Sequence, residues 1–163
     1  MKLAVVGATG MVGKEILEVI SEREMPIKDI FLVSSEKSIE KSIIFKAKSI
    51  KTILLEQLLS KKVDLALFAA GSEVSKIWAP IMAENGCKVI DNSSFWRMSS
   101  NHKLIIPEIN GRQLKRDDMI IANPNCSTIQ LLMVLAPLHK NLKIKRVVVS
   151  TYQSVSGGGK APM

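Results

Sequence analysis

Cys126 stands in the polar run Asn123-Pro124-Asn125-Cys126-Ser127-Thr128, directly before an apolar stretch of helical period at residues 129–138. A thiol at a helix start lies at the positive end of the helix dipole, which favours the thiolate, the nucleophilic form of cysteine. The chemistry such a group offers is covalent attack on an electrophilic carbon. The same residue also suits a small buried hydrophobe, the usual role of an unpaired cysteine, and spacing alone leaves the two readings open. Cys87, in an apolar strand pattern after the turn Asn85-Gly86, reads as that second kind.

A second group of residues with chemical potential opens the chain. Gly7-x-x-Gly10-x-x-Gly13 follows the apolar, β-branched run at residues 2–6 and leads into Met11, Val12, Ile16, Leu17 and Ile20 at helical spacing. A strand, a tight turn and a helix in that order aim backbone N–H groups and the positive helix end at one point, where a pyrophosphate can sit. Glycines also serve ordinary tight turns, but the strand and helix on either side favour a dinucleotide site. A second strand at residues 30–33, after Pro26, completes a βαβ unit. An NAD site usually ends that strand with an acidic residue for the ribose hydroxyls, whereas this chain has Ser34-Ser35-Glu36-Lys37-Ser38. Lys37 and Ser38 suit a 2′-phosphate, and hence NADP, with Glu36 turned away; the alternative is a solvated loop. His102 and His139 fall in no pattern that marks a general base. No HExxH, CxxC or spaced carboxylate cluster occurs, so no metal is expected.

The elements that must position these residues alternate between strand and helix patterns. Residues 34–49 are polar and Lys-rich; Ile53, Leu54, Leu58 and Leu59 predict a short amphipathic helix. The run VDLALFAA at residues 63–70 is apolar throughout except for Asp64, as a strand covered on both faces would be. A helix is expected over 73–84, a strand over 88–91, a turn-rich stretch over 92–118, a strand over 119–122, and a last strand over 145–153 before a glycine-rich loop. The expected class is α/β, a Rossmann-like doubly wound parallel sheet over residues 1–122. The start of an incomplete α+β catalytic and dimerisation domain then occupies 123–163.

With 163 residues, 47% hydrophobic and 23% charged, the chain has the balance of a packed globular protein. The formal charge of +8 is spread over scattered lysines without interleaved aromatics, which argues against a nucleic-acid strip and suits anionic small molecules. No apolar run reaches the roughly 18 residues of a membrane span, and the start has no cleavage pattern, so a cytoplasmic location is expected.

Four segments resemble, in order and separation, the aspartate-semialdehyde dehydrogenase family: GATGMVG at 7–13, DNSSFWRM at 91–98, NPNCST at 123–128 and TYQSVSGGG at 151–159. VDLALFAAG and IIPEING extend the likeness over the whole chain, which corresponds to about the first half of a member. The resemblance implies that Thr9, Gly10, Met11 and Val12, framed by Gly7 and Gly13, contact NADP phosphates, and that Lys37 and Ser38 recognise the 2′-phosphate. The family usually has Arg where Lys37 stands, and Lys lacks the two-pronged guanidinium. It further implies Arg97 for the substrate phosphate, Cys126 as the acyl-thioester nucleophile, Gln153 for substrate, and Ser156 and Gly157 beside the nicotinamide. The implied reaction converts 4-phospho-L-aspartate and NADPH to L-aspartate 4-semialdehyde and phosphate, toward lysine and diaminopimelate, threonine, methionine and isoleucine. Its implied assembly is a homodimer. Ser72, Ile39 and Gly158 depart from the family pattern without removing a reacting group. The family's general-base histidine and substrate-carboxylate arginine fall in the half that this chain does not include. A non-catalytic fragment that binds NADP, or pairs with a separate carboxyl half, is the alternative. Sibling enzymes share the fold and cysteine but fit the DNSS and YQSVSG segments less well. A short-chain dehydrogenase is set aside because Tyr152 is followed at the fourth position by Ser156, not Lys.

Overall fold

The computed structural model describes residues 1–152. Strand β1 (Lys2–Val6) is the spine of the sheet: Leu3, Ala4 and Val5 are fully buried and Val6 nearly so. Because side chains alternate across a strand, burial of four in succession requires cover on both faces. Leu3 and Val5 face one core with Leu17 and Ile20, which belong to helix α1 (Met11–Glu22). Ala4 and Val6 face a second core with Leu58, Ala79 and Met82 from helices α2 (Leu55–Leu59) and α3 (Ser72–Glu84).

Around β1 the strands are β2 (Asp29–Val33), β5 (Leu65–Phe68), β6 (Lys88–Asp91), β7 (Lys103–Leu104) and β8 (Ile120–Ala122). Among the described residues they form one six-stranded sheet in the order β2-β1-β5-β6-β8-β7, with every pairing parallel. The doubly wound sheet expected from the sequence is therefore present. The direction of winding reverses beside β1, which has β2 on one side and β5 on the other. Short connections carry the chain across the rest: α4 (Pro107–Asn110) and two single 3₁₀ turns at Glu36–Ser38 and Gly111–Gln113. The Lys103 ammonium meets Asp118 at 2.7 Å, and Lys88 donates to the carbonyls of Arg116 and Asp118, which ties the loop before β8 to the sheet edge.

Two departures from the sequence expectations have physical causes. The polar stretch 34–49 contains a hairpin, β3 (Ser42–Phe45) paired antiparallel with β4 (Lys48–Lys51). Its two turn residues, Lys46 and Ala47, both adopt positive φ, 46° and 62°, where Asn-Gly is the usual signal. The hairpin is held instead by Phe45, Ile43 and Ile50 packing against the α1 side of the core. Over 145–152, the described part of the strand expected at 145–153, no strand forms: residues 143–152 are irregular, and Val147, Val148 and Val149 are exposed. A strand needs a ladder partner, and this segment has none among the described residues. Gln153, Ser156 and Gly157 lie outside those residues.

Helix α5 (Cys126–Leu142) is the longest element and has no fully buried residue, while Met133, Val134, Leu138 and Leu142 are exposed. It ends at Lys143, whose φ of 55° places it in the left-handed region.

Candidate functional site

The carboxyl ends of β1, β2, β5 and β6 open into a cleft of about 780 Å³. Each wall is the residue run that follows a strand: Gly7 to Gly10 after β1, Ser34 and Ser35 after β2, Ala69 to Ser72 after β5, and Asn92 to Arg97 after β6. Asn125, one residue before Cys126, closes the far side. In open parallel sheets ligands bind at this end, at the point where winding reverses.

The first wall is built by glycines that cannot be replaced without movement. Gly7 has φ of +88°, and a Cβ there would approach the Ala69 carbonyl oxygen to 2.6 Å. A Cβ on Gly13 would overlap the Gly7 carbonyl oxygen and the Ala8 backbone. These glycines press β1, β5 and the start of α1 together. The amides of Gly7 and Ala8 donate to the Val33 carbonyl, and that of Gly10 donates to the Gly7 carbonyl, so these three are spent on the turn itself. The amides of Thr9, Met11, Val12 and Gly13 donate to no acceptor among the described residues, and Gly10 caps α1 with no side chain. Four free donors at an uncapped helix start above a concave space fit a pyrophosphate. The glycine spacing thus marks the turn, whereas the available donors lie on the intervening residues.

The second-strand end lacks the acidic grip of an NAD site. Ser34 is buried, its hydroxyl bonded to Thr52 Oγ1 at 3.0 Å, and Thr52 Oγ1 donates to the Ser38 carbonyl at 2.9 Å. Both serines line the cleft, and Ser35 is the exposed one. Glu36 and Lys37 are both exposed in the 3₁₀ turn, while Ser38 lines a smaller hollow beside α1.

The Cys126 loop and the turn after β6 form one hydrogen-bonded unit. Arg97 Nε donates to the Asn123 carbonyl at 2.9 Å and its Nη2 to the Asn92 carbonyl at 3.0 Å; Asn123 Nδ2 reaches Asn92 Oδ1 at 2.7 Å. Two of the five guanidinium hydrogens are therefore committed to positioning, and the remainder are left for a ligand. Asp91 is fully buried; its Oδ2 accepts from Ser93 Oγ at 2.5 Å, and Ser93 Oγ accepts from the Phe95 amide. Its Oδ1 has no partner among the described residues. Asn125 caps α5, its side chain accepting from the Ser127 amide at 3.0 Å and the Ser127 hydroxyl at 2.6 Å. Cys126 is exposed at the first helical position, with its Sγ 3.9 Å from Asn125 Oδ1.

Cys87 behaves as the sequence suggests for a structural thiol. It is buried, and burial, with a smaller contribution from the charge of Asp64, pushes its pKa up to about 12. Sequence reasoning missed Asn92, Asn123 and the Ser72–Ser94 hydroxyl contact at 3.1 Å as cleft elements. Asn92, Ser94 and Asn123 do fall within the segments DNSSFWRM and NPNCST, but nothing in those segments indicates that the side chains bond to partners across the cleft.

A parallel sheet in this order, with a glycine turn beneath its first helix and a cleft at the strand ends, defines a Rossmann-like dinucleotide-binding domain. Residues 2–117 match the family described as "Semialdehyde dehydrogenase, NAD binding domain". The chain belongs to this family of oxidoreductases. It is 48% identical over 161 residues to the aspartate-semialdehyde dehydrogenase of Vibrio mimicus, covering 98% of this chain and 51% of that protein. It also superposes with a TM-score of 0.93 and 46% identity on the crystal structure of aspartate semialdehyde dehydrogenase II from Vibrio cholerae complexed with ASA. That match covers 99% of this chain and 48% of the other. A Candida albicans aspartate semialdehyde dehydrogenase crystallised with NADP matches with a TM-score of 0.70 at 21% identity, a likeness of fold. The chain spans about half the length of the relatives it matches. No helix among the described residues is long and apolar enough to cross a membrane.

Proposed function

We propose that this chain is the NADP-binding and nucleophile-bearing part of an aspartate-semialdehyde dehydrogenase, with residues 1–122 as the cofactor domain and 123–163 as the start of the catalytic and dimerisation domain. The observation that carries the reading is the shared cleft. Thr9 and Val12, whose amides are unspent, line one part of it, and Asn125, the cap of the Cys126 helix, lines another.

In this reading Thr9, Met11, Val12 and Gly13 bind the cofactor's phosphates through their amides, while Gly7 and Gly10 shape the turn. Ser38 belongs to the 2′-phosphate end. Gln153, Ser156 and Gly157 serve substrate and nicotinamide as the family likeness implies. Cys126 Sγ attacks the acyl carbon of 4-phospho-L-aspartate; the C–S bond forms, the C–O bond to phosphate breaks, and inorganic phosphate leaves. Arg97, already anchored on Asn92 and Asn123, presents its remaining hydrogens to the phosphoryl oxygens. NADPH, when bound, supplies the hydride that reduces the thioester, after which L-aspartate 4-semialdehyde departs and Cys126 returns as thiolate. Such chemistry belongs to a cytoplasmic homodimeric enzyme of the lysine, threonine and methionine routes.

The second reading is a fragment that binds NADP but turns over only with a separate carboxyl half. It is favoured by α5, a 17-residue helix without one fully buried residue. Both readings are tested by NADPH formation from L-aspartate 4-semialdehyde, phosphate and NADP, with Cys126→Ala as control. The purified chain is expected to be inactive alone and to gain cysteine-dependent turnover when a relative's carboxyl half is added. Turnover by the chain alone would reject the fragment reading. No turnover in the mixture, with NADP bound and both halves associated, would reject the dehydrogenase reading.

A further inference from the structure

We infer that the buried Asp91 is a positioning residue of this site: through Ser93 it fixes the turn after β6 that holds the Arg97 guanidinium against the Cys126 loop. The inference rests on the reading of Arg97 and Cys126 given above and deepens it.

Asp91 is the last residue of β6 and is fully buried, paired in the sheet with Phe68 of β5 on one side and Ala122 of β8 on the other. Both neighbours are apolar, and Asp91 Oδ1 has no partner among the described residues. A carboxylate in such surroundings with one side-chain hydrogen bond lowers stability relative to an apolar residue of similar size. Packing therefore gives no reason for an acid at this position, whereas the bond it does make supplies one.

That bond is to the Ser93 hydroxyl, which donates to Asp91 Oδ2 at 2.5 Å. With its hydrogen spent on the carboxylate, Ser93 Oγ is left to accept, and it does so from the Phe95 amide at 3.2 Å. The two bonds wind residues 91–95 into one turn. Arg97 follows directly, its amide donating to the Ser94 carbonyl at 3.4 Å and its Nη2 to the Asn92 carbonyl at 3.0 Å. Asp91 thus sets the near end of the turn. Trp96 sets the far end, its Nε1 donating to Ser75 Oγ of α3 at 2.9 Å. Held between them, the guanidinium reaches the carbonyl of Asn123, three residues before Cys126. Arg97 and Ser93 line the cleft and Asp91 does not, so the carboxylate acts at one remove from any ligand. Without it the Ser93 hydroxyl can turn, the 92–93 peptide is released, and Arg97 loses one of its two fixed acceptors.

The test is alkylation of Cys126 in the full 163-residue chain by iodoacetate and by iodoacetamide, read by peptide mass spectrometry. The proteins compared are the unaltered chain, Asp91→Ala, Asp91→Asn, Ser93→Ala, Arg97→Ala, and Asp91→Ala combined with Arg97→Ala. Both reagents attack the same thiolate, so the ratio of their rates cancels thiol acidity and exposure and reports the positive charge that an anion meets there. Arg97→Ala is expected to lower the ratio by about threefold to fivefold, the order of one solvated charge acting over a few ångströms. Asp91→Ala and Ser93→Ala should lower it to the same extent, and Asp91→Ala should lower it no further once Arg97 is gone. Such a fall has the opposite sign to the rise that removal of a negative charge by itself would produce. Asp91→Asn, which keeps an acceptor for Ser93, should hold the ratio at or above its unaltered value. A thermal melt of each variant separates loss of fold from loss of position; if Asp91→Ala does not fold, Ser93→Ala decides. An unchanged or raised ratio in folded Asp91→Ala or Ser93→Ala overturns the inference and leaves the reading of Arg97 standing. So does a further fall in the double variant, or a ratio for Asp91→Asn as low as that of Asp91→Ala. If Arg97→Ala itself leaves the ratio unchanged, the reading of Arg97 and this inference fall together.

Discussion

The two thiols illustrate how position divides one residue type into two behaviours. Cys126 is exposed at a capped helix start, and Cys87 is buried in the core shared with α3, where burial disfavours its thiolate and pushes its pKa up to about 12. A thiol-alkylating reagent at pH 8 is therefore expected to modify Cys126 within minutes and leave Cys87 untouched until denaturant is added, as peptide mass spectrometry would read. Equal labelling of both in the folded protein would contradict the burial of Cys87. Arg97 teaches a related lesson. As a letter in the chain it is an ordinary surface arginine, and its place at the junction of Asn92 and Asn123 comes only from the folding together of two loops 26 and more residues of chain apart.

At the scale of elements, the first βαβ unit depends on close approach more than on helix propensity. Gly13 lies inside α1, where alanine would ordinarily be the better helix former, yet its missing Cβ is what lets the helix sit on the Gly7 carbonyl. Gly13→Ala is expected to destabilise the chain by about 1–3 kcal/mol, the range for overpacking, and to weaken NADP as the α1 amides shift. Urea denaturation and a cofactor titration together check this; a neutral or stabilising substitution would mean that the turn relaxes freely. The hairpin of β3 and β4 shows the opposite case. Its turn residues give no sequence signal, and it exists because Phe45 and Ile43 find the α1 side of the core. The failed strand after α5 completes the picture, since an alternating pattern without a partner stays irregular.

For the whole molecule, burial of Cys87 makes stability pH-dependent on the alkaline side. The unfolded thiol ionises near its ordinary pKa of 9.0 and the folded one near 12, so between these values the folded state holds a proton that the unfolded state has lost. By linkage the Cys87 contribution is fully present below about pH 9 and declines as pH rises toward 12. Chemical denaturation at pH 8 and pH 10.5 should show a smaller drop for Cys87→Ala than for the unaltered chain. Equal drops would place the cause elsewhere. The α5 face, unburied among the described residues, and the formal charge of +8, which favours anionic ligands, also belong to this scale.

The sequence by itself determined the parallel, doubly wound sheet and the glycine turn, because a strand covered on both faces must be apolar throughout and a backbone overlap admits only glycine. VDLALFAA and Gly7-x-x-Gly10-x-x-Gly13 state those constraints locally. It also marked Cys126 at a helix start and Cys87 as structural. Only the tertiary structure decided which amides remain free, that Arg97 ties two loops together, and that Ser38 rather than Lys37 lines a hollow beside α1. Each of these depends on chain segments far apart in sequence meeting at the strand ends, and no local pattern of residue types encodes which side chain faces the space so formed.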